Sequence, residues 1–263
     1  MKISIITVCL NSEKTIKYTL NSVVSQNYRN IEHIIVDGGS TDNTLNILKK
    51  YKFKNKKVFL LKNKSLYGSI NYGIKKACGE LISILHSDDI YNNNSIIRNI
   101  ANIAKVSKYK IFFGNVVYFK NTNFEKITRF YSSRNTSRKT FAYGNMPPHT
   151  GSFYKKEIFE NYGFYNNEFK IAGDFEHLFR IIYIKKLNFK VLNFITTRMR
   201  TGGLSGKNLS SFITINNEIL KTFKIYKKKT NLLKILFRVP PKILQYMFLD
   251  QISLNKRFNL TVN

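Results

Sequence analysis

Residues 31–44 read Ile31-Glu32-His33-Ile34-Ile35-Val36-Asp37-Gly38-Gly39-Ser40-Thr41-Asp42-Asn43-Thr44. A mostly apolar, β-branched run stops at an acid, followed by two glycines and a group of hydroxyls. The run predicts a strand over Ile31–Val36 that ends at Asp37 and turns at Gly38-Gly39-Ser40. Thr41 is placed to cap the next helix, whose apolar stripe is Leu45, Leu48 and Tyr51. The same alternation extends to both sides. Upstream, Ile3–Leu10 is almost continuously apolar, as suits a strand buried on both faces, and Ile16, Leu20, Val23 and Val24 recur at helical spacing. Downstream come a strand at Val58–Leu61, a helix at Ile70–Ala77 and a strand at Leu81–Leu85. This rhythm predicts an α/β fold with a mostly parallel central sheet flanked by helices. Ligands then bind outside the carboxyl ends of the strands.

After residue 105 the rhythm changes. Ile111–Phe119 and Asn123–Phe130 read as longer, partly solvated strands, and Met146-Pro147-Pro148 forces an extended turn. Helical stretches follow near Lys156–Tyr162 and Asp174–Tyr183, then a short strand and the turn Gly202-Gly203. From Asn208 the chain is helical and basic, broken once at Pro240-Pro241. No internal repeat or linker separates a second independent domain.

The 263 residues, 43% apolar and 22% charged, suffice for one sizeable globular core. Lys and Arg number 44 against 15 acids, a formal charge of +29. The resulting field favours nucleic acid, anionic lipid or phosphorylated substrates without choosing among them. Much of the excess is Lys within Asn-, Ile-, Phe- and Tyr-rich sequence, which weakens charge as functional evidence. No helix-turn-helix, zinc-ligand or RNA-binding signature is present, so nucleic acid is not an expected partner. Cys9 and Cys78, both in apolar sequence surroundings, form neither a metal spacing nor a disulfide framework, which fits a reducing compartment. The chain runs from Lys2 straight into Ile3–Val8 without a signal-peptide core, and no apolar run approaches the roughly 18–20 residues that span a bilayer. The expected location is cytoplasmic.

Because acids are scarce, their positions carry information. Asp37, Asp88 and Asp89 fall at strand ends, where a carboxylate points into the ligand crevice. Asp37 could accept from a base N–H or a ribose hydroxyl. Asp88 and Asp89 follow strand Leu81–Leu85 after His86-Ser87. Adjacent carboxylates repel in a low-dielectric cleft, and a divalent cation that also bridges a diphosphate removes the penalty. The plainer reading is a solvated turn.

Taken in order, Ile5-Ile6-Thr7-Val8…Asn11, Val36-Asp37-Gly38-Gly39-Ser40-Thr41-Asp42 and Gly79-Glu80…His86-Ser87-Asp88-Asp89 strongly resemble the family-2 glycosyltransferases. His149, Gly163-Phe164-Tyr165, Ala172-Gly173-Asp174-Phe175-Glu176 and Gly202-Gly203-Leu204-Ser205 fit the same family. The resemblance implies the GT-A fold over residues 1–205, with a nucleotide-binding half to 105, an acceptor half from 106 to 205, and a basic helical extension over 206–263. It implies inverting sugar transfer from a nucleotide-diphosphate sugar, a UDP-sugar being favoured, to a glycan or lipid-linked acceptor in bacterial polysaccharide or O-antigen synthesis. Thr7, Val8, Asn11 and Asp37 would hold base and ribose, and Tyr67, Asn71, Asp88 and His149 would add donor contacts. Asp88 and Asp89, with His86, would present Mn²⁺ or Mg²⁺ to the diphosphate. Asp174 would be the base that deprotonates the acceptor hydroxyl. Each role has a structural alternative: Asp174 could cap its helix or favour the dipole, and His149 could be packing.

The departures matter too. Where many relatives read Asp-x-Gly-x-Tyr-Asp-Ala-x-Asn-Lys-Gly, this chain has Asn63-Lys64-Ser65-Leu66-Tyr67-Gly68-Ser69-Ile70-Asn71-Tyr72-Gly73. Tyr67, Asn71 and Gly73 survive, while Asn63, Ser65, Gly68 and Tyr72 replace Asp, Gly, Asp and Lys. That leaves a silent sugar-nucleotide-binding protein as the rival reading. His86 stands where many relatives have the first aspartate of the metal motif, which favours Mn²⁺ because imidazole suits Mg²⁺ poorly. A nucleotidyltransferase would need a Gly-rich basic loop near the first strand, and Val8–Glu13 has none. Lys227-Lys228-Lys229 followed by Leu232, Leu233, Ile235, Leu236 and Phe237, then Ile243–Leu249, predicts a peripheral anchor on an anionic membrane surface, at the inner face of the cell membrane.

Overall fold

A computed structural model describes residues 1–120, 123–203 and 208–238. Strands β1 (Ile3–Cys9), β2 (Ile31–Asp37), β3 (Lys56–Leu60) and β4 (Leu81–Ile84) alternate with helices α1 (Ile16–Val24), α2 (Thr44–Lys50) and α3 (Leu66–Lys76). All four strands are parallel, with Cys9 opposite Asp37 and Asp37 opposite Leu60. Their carboxyl ends therefore lie along one edge of the sheet. The second half contributes β5 (Ile90–Tyr91), α4 (Ile96–Val106), β6 (Ile111–Lys120), β7 (Asn123–Tyr131), α5 (Arg138–Phe141), β8 (Ser152–Lys155) and α6 (Glu157–Tyr162). Helix α7 (Gly173–Leu178) continues into a π-helical turn at Phe179–Ile184, followed by β9 (Lys190–Arg200), α8 (Leu209–Ile225) and α9 (Leu232–Leu236). The sheet order is β3-β2-β1-β4-β8-β6-β9-β5, with β7 paired to β6. The parallel half is joined to a mixed half through antiparallel β8.

Both faces are covered. One apolar cluster packs Ile6, Ile34 and Ile84 beneath α3, α6, α7 and α8, and another packs Ile3, Ile5 and Leu81 against Val23 of α1 and the Ile96/Ile97/Ile100/Ala104 stripe of α4. Close approach of α3 to the sheet requires Gly73, where a Cβ would come within 2.6 Å of an Ile6 methyl.

Several expectations need correction. Asn43, not Thr41, precedes the first turn of α2, because the Thr41 backbone and hydroxyl are engaged by Asn11. Helix α3 begins at Leu66, four residues before the apolar stripe, because the Ser65 hydroxyl caps it by accepting from Gly68 N–H at 3.1 Å. Strand β6 is interior rather than partly solvated, since β8 and β7 cover one edge and β9 the other. Helix α4 and the two-residue β5 have no counterpart in the sequence reading. Cys78 is exposed, unlike buried Cys9, because it sits in the α3–β4 connection. Helix α8 packs on the apolar core: Ile219 and Phe223 are buried, with Phe223 against Phe175 and Phe179. No helix among the described residues is long and apolar enough to cross a membrane. Leu204, Ser205 and Pro240 onward lie outside the described residues.

Candidate active site

The crevice at the carboxyl ends of β1, β2 and β4 is organised by Asp37. Its carboxylate is fully buried; Oδ1 accepts from the N–H groups of Gly39 (2.9 Å) and Ser40 (2.7 Å), and Oδ2 from the Ser40 hydroxyl at 2.6 Å. Gly39 adopts φ +101°, which a side chain would resist. Ser40 Oγ in turn accepts from Asn11 N–H at 2.8 Å, and Asn11 Oδ1 accepts from Thr41 N–H at 2.9 Å. The Ser12 and Ser87 hydroxyls lie 2.9 Å apart, tying the β1 loop to the β4 loop. Three strand ends are thus stapled into one rim. Asn11 emerges from it with φ +48° and an exposed side chain. Thr7 and Val8 lie inside the fold: Thr7 Oγ1 hydrogen-bonds His33 Nε2 at 2.9 Å, and Val8 joins the core. Burial holds the His33 imidazole down to about 3.

Asp88 and Asp89 point apart. A Cβ on Gly203 would lie 3.6 Å from Asp88 Oδ2, so this carboxylate faces the turn after β9. Asp89 is only 1% exposed; Oδ1 accepts from Arg200 N–H at 3.3 Å, and Oδ2 is buried without a partner. Burial, reinforced by the Asp88 charge, raises its carboxyl well above the usual range. No group of three His, Cys, Asp or Glu side chains among the described residues is arranged to hold a metal. The expected set of His86, Asp88 and Asp89 thus does not converge. The donors that remain toward the crevice are the Asp88 carboxylate and His86, which burial keeps neutral despite the nearby Asp88 charge. One carboxylate fits a cation held mainly by substrate phosphates, and the described residues form no closed cage for one.

Asp174 occupies the opposite wall. It lies one residue inside α7, whose first turn follows Ala172, so it is not the cap residue. Oδ1 accepts from Phe175 N–H at 2.8 Å and from the Tyr67 hydroxyl at 3.4 Å. The single Tyr67 hydroxyl proton is shared with Ile171 C=O, nearer at 2.5 Å, and its oxygen accepts from Asp174 N–H at 3.2 Å. This fit depends on Gly173, where a Cβ would strike the Tyr67 ring at 2.7 Å. Burial pushes the Asp174 carboxyl up to about 6 against those hydrogen bonds, with the Glu218 charge adding to the rise. Asn71 holds the neighbouring loop, donating to Tyr165 C=O at 2.8 Å and accepting from Tyr165 N–H at 3.0 Å. Tyr67 and Asn71 thus fasten α3 to the segment that leads into α7.

A line of rings joins the two walls: His86 to His149 (6.0 Å), His149 to Tyr165 (5.5 Å) and Tyr165 to Tyr67 (5.6 Å). His149 is buried with both ring nitrogens unpartnered and is held down to about 3 by burial and by His86. His177 packs 4.6 Å from Tyr165, deep enough that burial holds its imidazole well below the usual range.

Two contributors escaped the sequence reading. Glu218 of α8 accepts from the N–H groups of Lys170 (2.6 Å), Ile171 (3.0 Å) and Ala172 (2.7 Å), setting the chain that enters α7. The available signal was scarcity, since Glu218 and Asp250 are the only acids after residue 176. The second is Arg180, whose guanidinium is held at 3.0 Å by buried Glu176, which also accepts from the Tyr226 hydroxyl at 2.5 Å.

Residues 4–163 match the family described as Glycosyl transferase family 2. The chain belongs to that family, has the GT-A fold and is a glycosyltransferase. It is 30% identical over 229 residues to the Escherichia coli UDP-Glc:alpha-D-GlcNAc-diphosphoundecaprenol beta-1,3-glucosyltransferase WfaP, covering 85% of this chain and 87% of that protein. Among solved structures it resembles S. aureus TarS in complex with UDP-GlcNAc (TM-score 0.64, 22% identity, 97% of this chain and 75% of that one). Mannosyltransferase PcManGT from Pyrobaculum calidifontis, in complex with GDP-Man and Mn²⁺, has a TM-score of 0.64 at 14% identity, covering 97% of this chain and 75% of that one.

Proposed function

We propose that this glycosyltransferase moves one sugar from a nucleotide-diphosphate sugar, a UDP-sugar being favoured, to a hydroxyl of a lipid-linked glycan acceptor, with inversion at the anomeric carbon. The observation that carries the reading is Asp174: a carboxylate with a raised pKa, pinned by Tyr67 across the crevice from Asp88. Asp174 takes the acceptor proton as the oxygen attacks from the face opposite the leaving diphosphate, a contribution of typically 10²–10⁴-fold. A carboxyl near 6 is mostly ionised at pH 7 and still basic enough to accept that proton. The Asp37-organised rim, with Asn11 at its lip, positions the nucleotide; Asp37 acts through the turn, since its lone pairs are already engaged. His149, buried and unpartnered, completes the donor pocket. Asp88, with neutral His86 beside it, would hold Mn²⁺ or Mg²⁺ against the diphosphate. Bound there, the cation would supply charge neutralisation for the leaving group.

The named relative's diphosphoundecaprenol acceptor supports a lipid-linked substrate, and with it a role in O-antigen-type polysaccharide synthesis at the inner membrane face. Helix α9 supports peripheral association, because Leu233 and Phe237 are each 72% exposed beside Lys227–Lys229.

The test is transfer from a panel of UDP- and GDP-sugars, with Mn²⁺ or EDTA, to a lipid-diphosphate-linked acceptor, with NMR assignment of the product anomer. Retention of configuration overturns the single-displacement reading. Full activity of Asp88→Ala in EDTA removes the metal from it. Donor binding with neither transfer nor hydrolysis leaves the silent binder.

A further inference from the structure

Two adjoining surface clefts, of about 310 and 380 Å³, open beside the amino ends of β6 and β9 and share Tyr109 and Asn188 between them. Volumes of this order suit small ligands. Strand β6 runs antiparallel to β8, β8 antiparallel to β4, and β6 parallel to β9. The amino ends of β6 and β9 therefore lie on the sheet edge opposite the crevice that holds Asp37, Asp88 and Asp174.

The floor of the clefts is apolar and partly aromatic. Ile158 is buried beneath the first, and Tyr162 and Tyr109 are half-buried, packed against the cores on either side. The wall is fixed in advance: Arg138, at the start of α5, donates from Nη2 to Lys186 C=O at 2.6 Å and to Asn188 Oδ1 at 2.7 Å. That bond orients the Asn188 side chain and leaves its amide N–H groups without a partner among the described residues. The rim is cationic. Glu157 neutralises Lys110 at 2.6 Å, but no carboxylate among the described residues pairs with Lys108 or Arg138. Lys108 Nζ stands 5.9 Å from the Tyr109 ring centroid, so cation and ring occupy the same corner.

These features have one chemical complement. Rings suit the C–H face of a sugar, an amide donor suits its hydroxyls, and unpaired cations suit acid groups along it. A polypeptide gains less here, because the lining comes from helices and connections and includes no strand residue whose edge it could extend. We infer that this sheet edge carries a second, non-catalytic cleft for a short anionic oligosaccharide, with sugar rings on Tyr109 and Tyr162, hydroxyls on Asn188 and acid groups against Lys108 and Arg138. The cleft is independent of the donor and acceptor proposed above.

The experiment is isothermal titration calorimetry of the full chain, without donor, against three probes: hexagalacturonate, neutral maltohexaose and hexaglutamate. Hexagalacturonate should bind at least about 10-fold more tightly than either of the others. Lys108→Gln and Asn188→Asp should each weaken it about 10-fold. Both residues are exposed, and an aspartate keeps the oxygen that Arg138 grips, so melting temperatures should not move. Lys49→Gln, an equal charge loss on an exposed lysine of α2, should change nothing. Equal binding of hexaglutamate marks a surface that selects charge alone and overturns the inference. Equal binding of maltohexaose removes the anion from it. Hexagalacturonate that fails to bind, or binds undiminished in both variants, overturns the site itself.

Discussion

The rim around Asp37 and the wall around Asp174 face the same crevice but are built differently. At Asp37 both carboxylate oxygens are engaged by the turn itself, and the Ser40 hydroxyl and the Asn11 carbonyl are engaged between that turn and the β1 loop. At Asp174 only Oδ1 has partners among the described residues, the Phe175 N–H and the Tyr67 hydroxyl, and the carboxyl is raised to about 6. The contrast teaches that the Asp37 turn is complete within itself, its geometry set before anything binds. The Asp174 carboxyl keeps one oxygen and a raised pKa available for chemistry.

The largest break between the regions should come from Asp174→Asn. It removes the base without disturbing the rim, so kcat should fall about 10²–10⁴-fold while donor Kd stays constant. Near-normal turnover would return Asp174 to a merely structural role. The same variant carries a stability signature. A carboxyl raised to about 6 loses folding stability as pH climbs from the unfolded carboxylate value through 6. Asp174→Asn should therefore melt higher than wild type at pH 8, and the difference should vanish below about pH 4.

On the rim the pattern inverts. Asp37→Ala strips acceptors from two backbone N–H groups and a hydroxyl, and should destabilise the chain by about 2–4 kcal/mol in chemical denaturation. Donor affinity should fall with it. A variant that loses affinity at unchanged stability would instead show direct contact between Asp37 and the nucleotide.

Glu218→Gln tests whether the acceptor wall is held from α8. One carboxamide oxygen cannot serve three N–H donors, so a loss of about 1–3 kcal/mol is expected. A drop in kcat larger than the change in donor Kd should accompany it, because the Lys170–Ala172 segment sets Asp174. Tyr67→Phe should have the smallest effect and the sharpest meaning. Its hydroxyl lowers the Asp174 pKa, so the acidic limb of kcat/KM against pH should move to higher pH. An unmoved limb would break the link between the two residues.

Read from sequence, the first half was legible because buried parallel strands announce themselves: Ile3–Leu10 and Ile34–Val36 are mostly apolar and Asp37 stands at its strand's end, while Glu32 is tolerated inside β2 because Ser4, Cys78, Gly79, Lys2 and Lys57 satisfy it. Helix α3 was caught late, since its cap is a hydroxyl at Ser65 rather than an apolar mark. Strand β6 was misjudged because its burial depends on β7, β8 and β9, all distant in sequence.

The sequence by itself determined the α/β rhythm, the strand-end position of Asp37, Asp88 and Asp89, and the family to which the ordered motifs belong, because these follow from local periodicity and spacing. It could not determine which of two adjacent acids faces the crevice. That was decided by β9, whose Arg200 N–H turns Asp89 inward and leaves Asp88 outside. Nor could it show that an acid 44 positions after Asp174 would set the segment before it. Glu218 reaches that segment only because α8 packs across α7, and packing of this kind is settled by the apolar faces of the whole core rather than by any one stretch of chain.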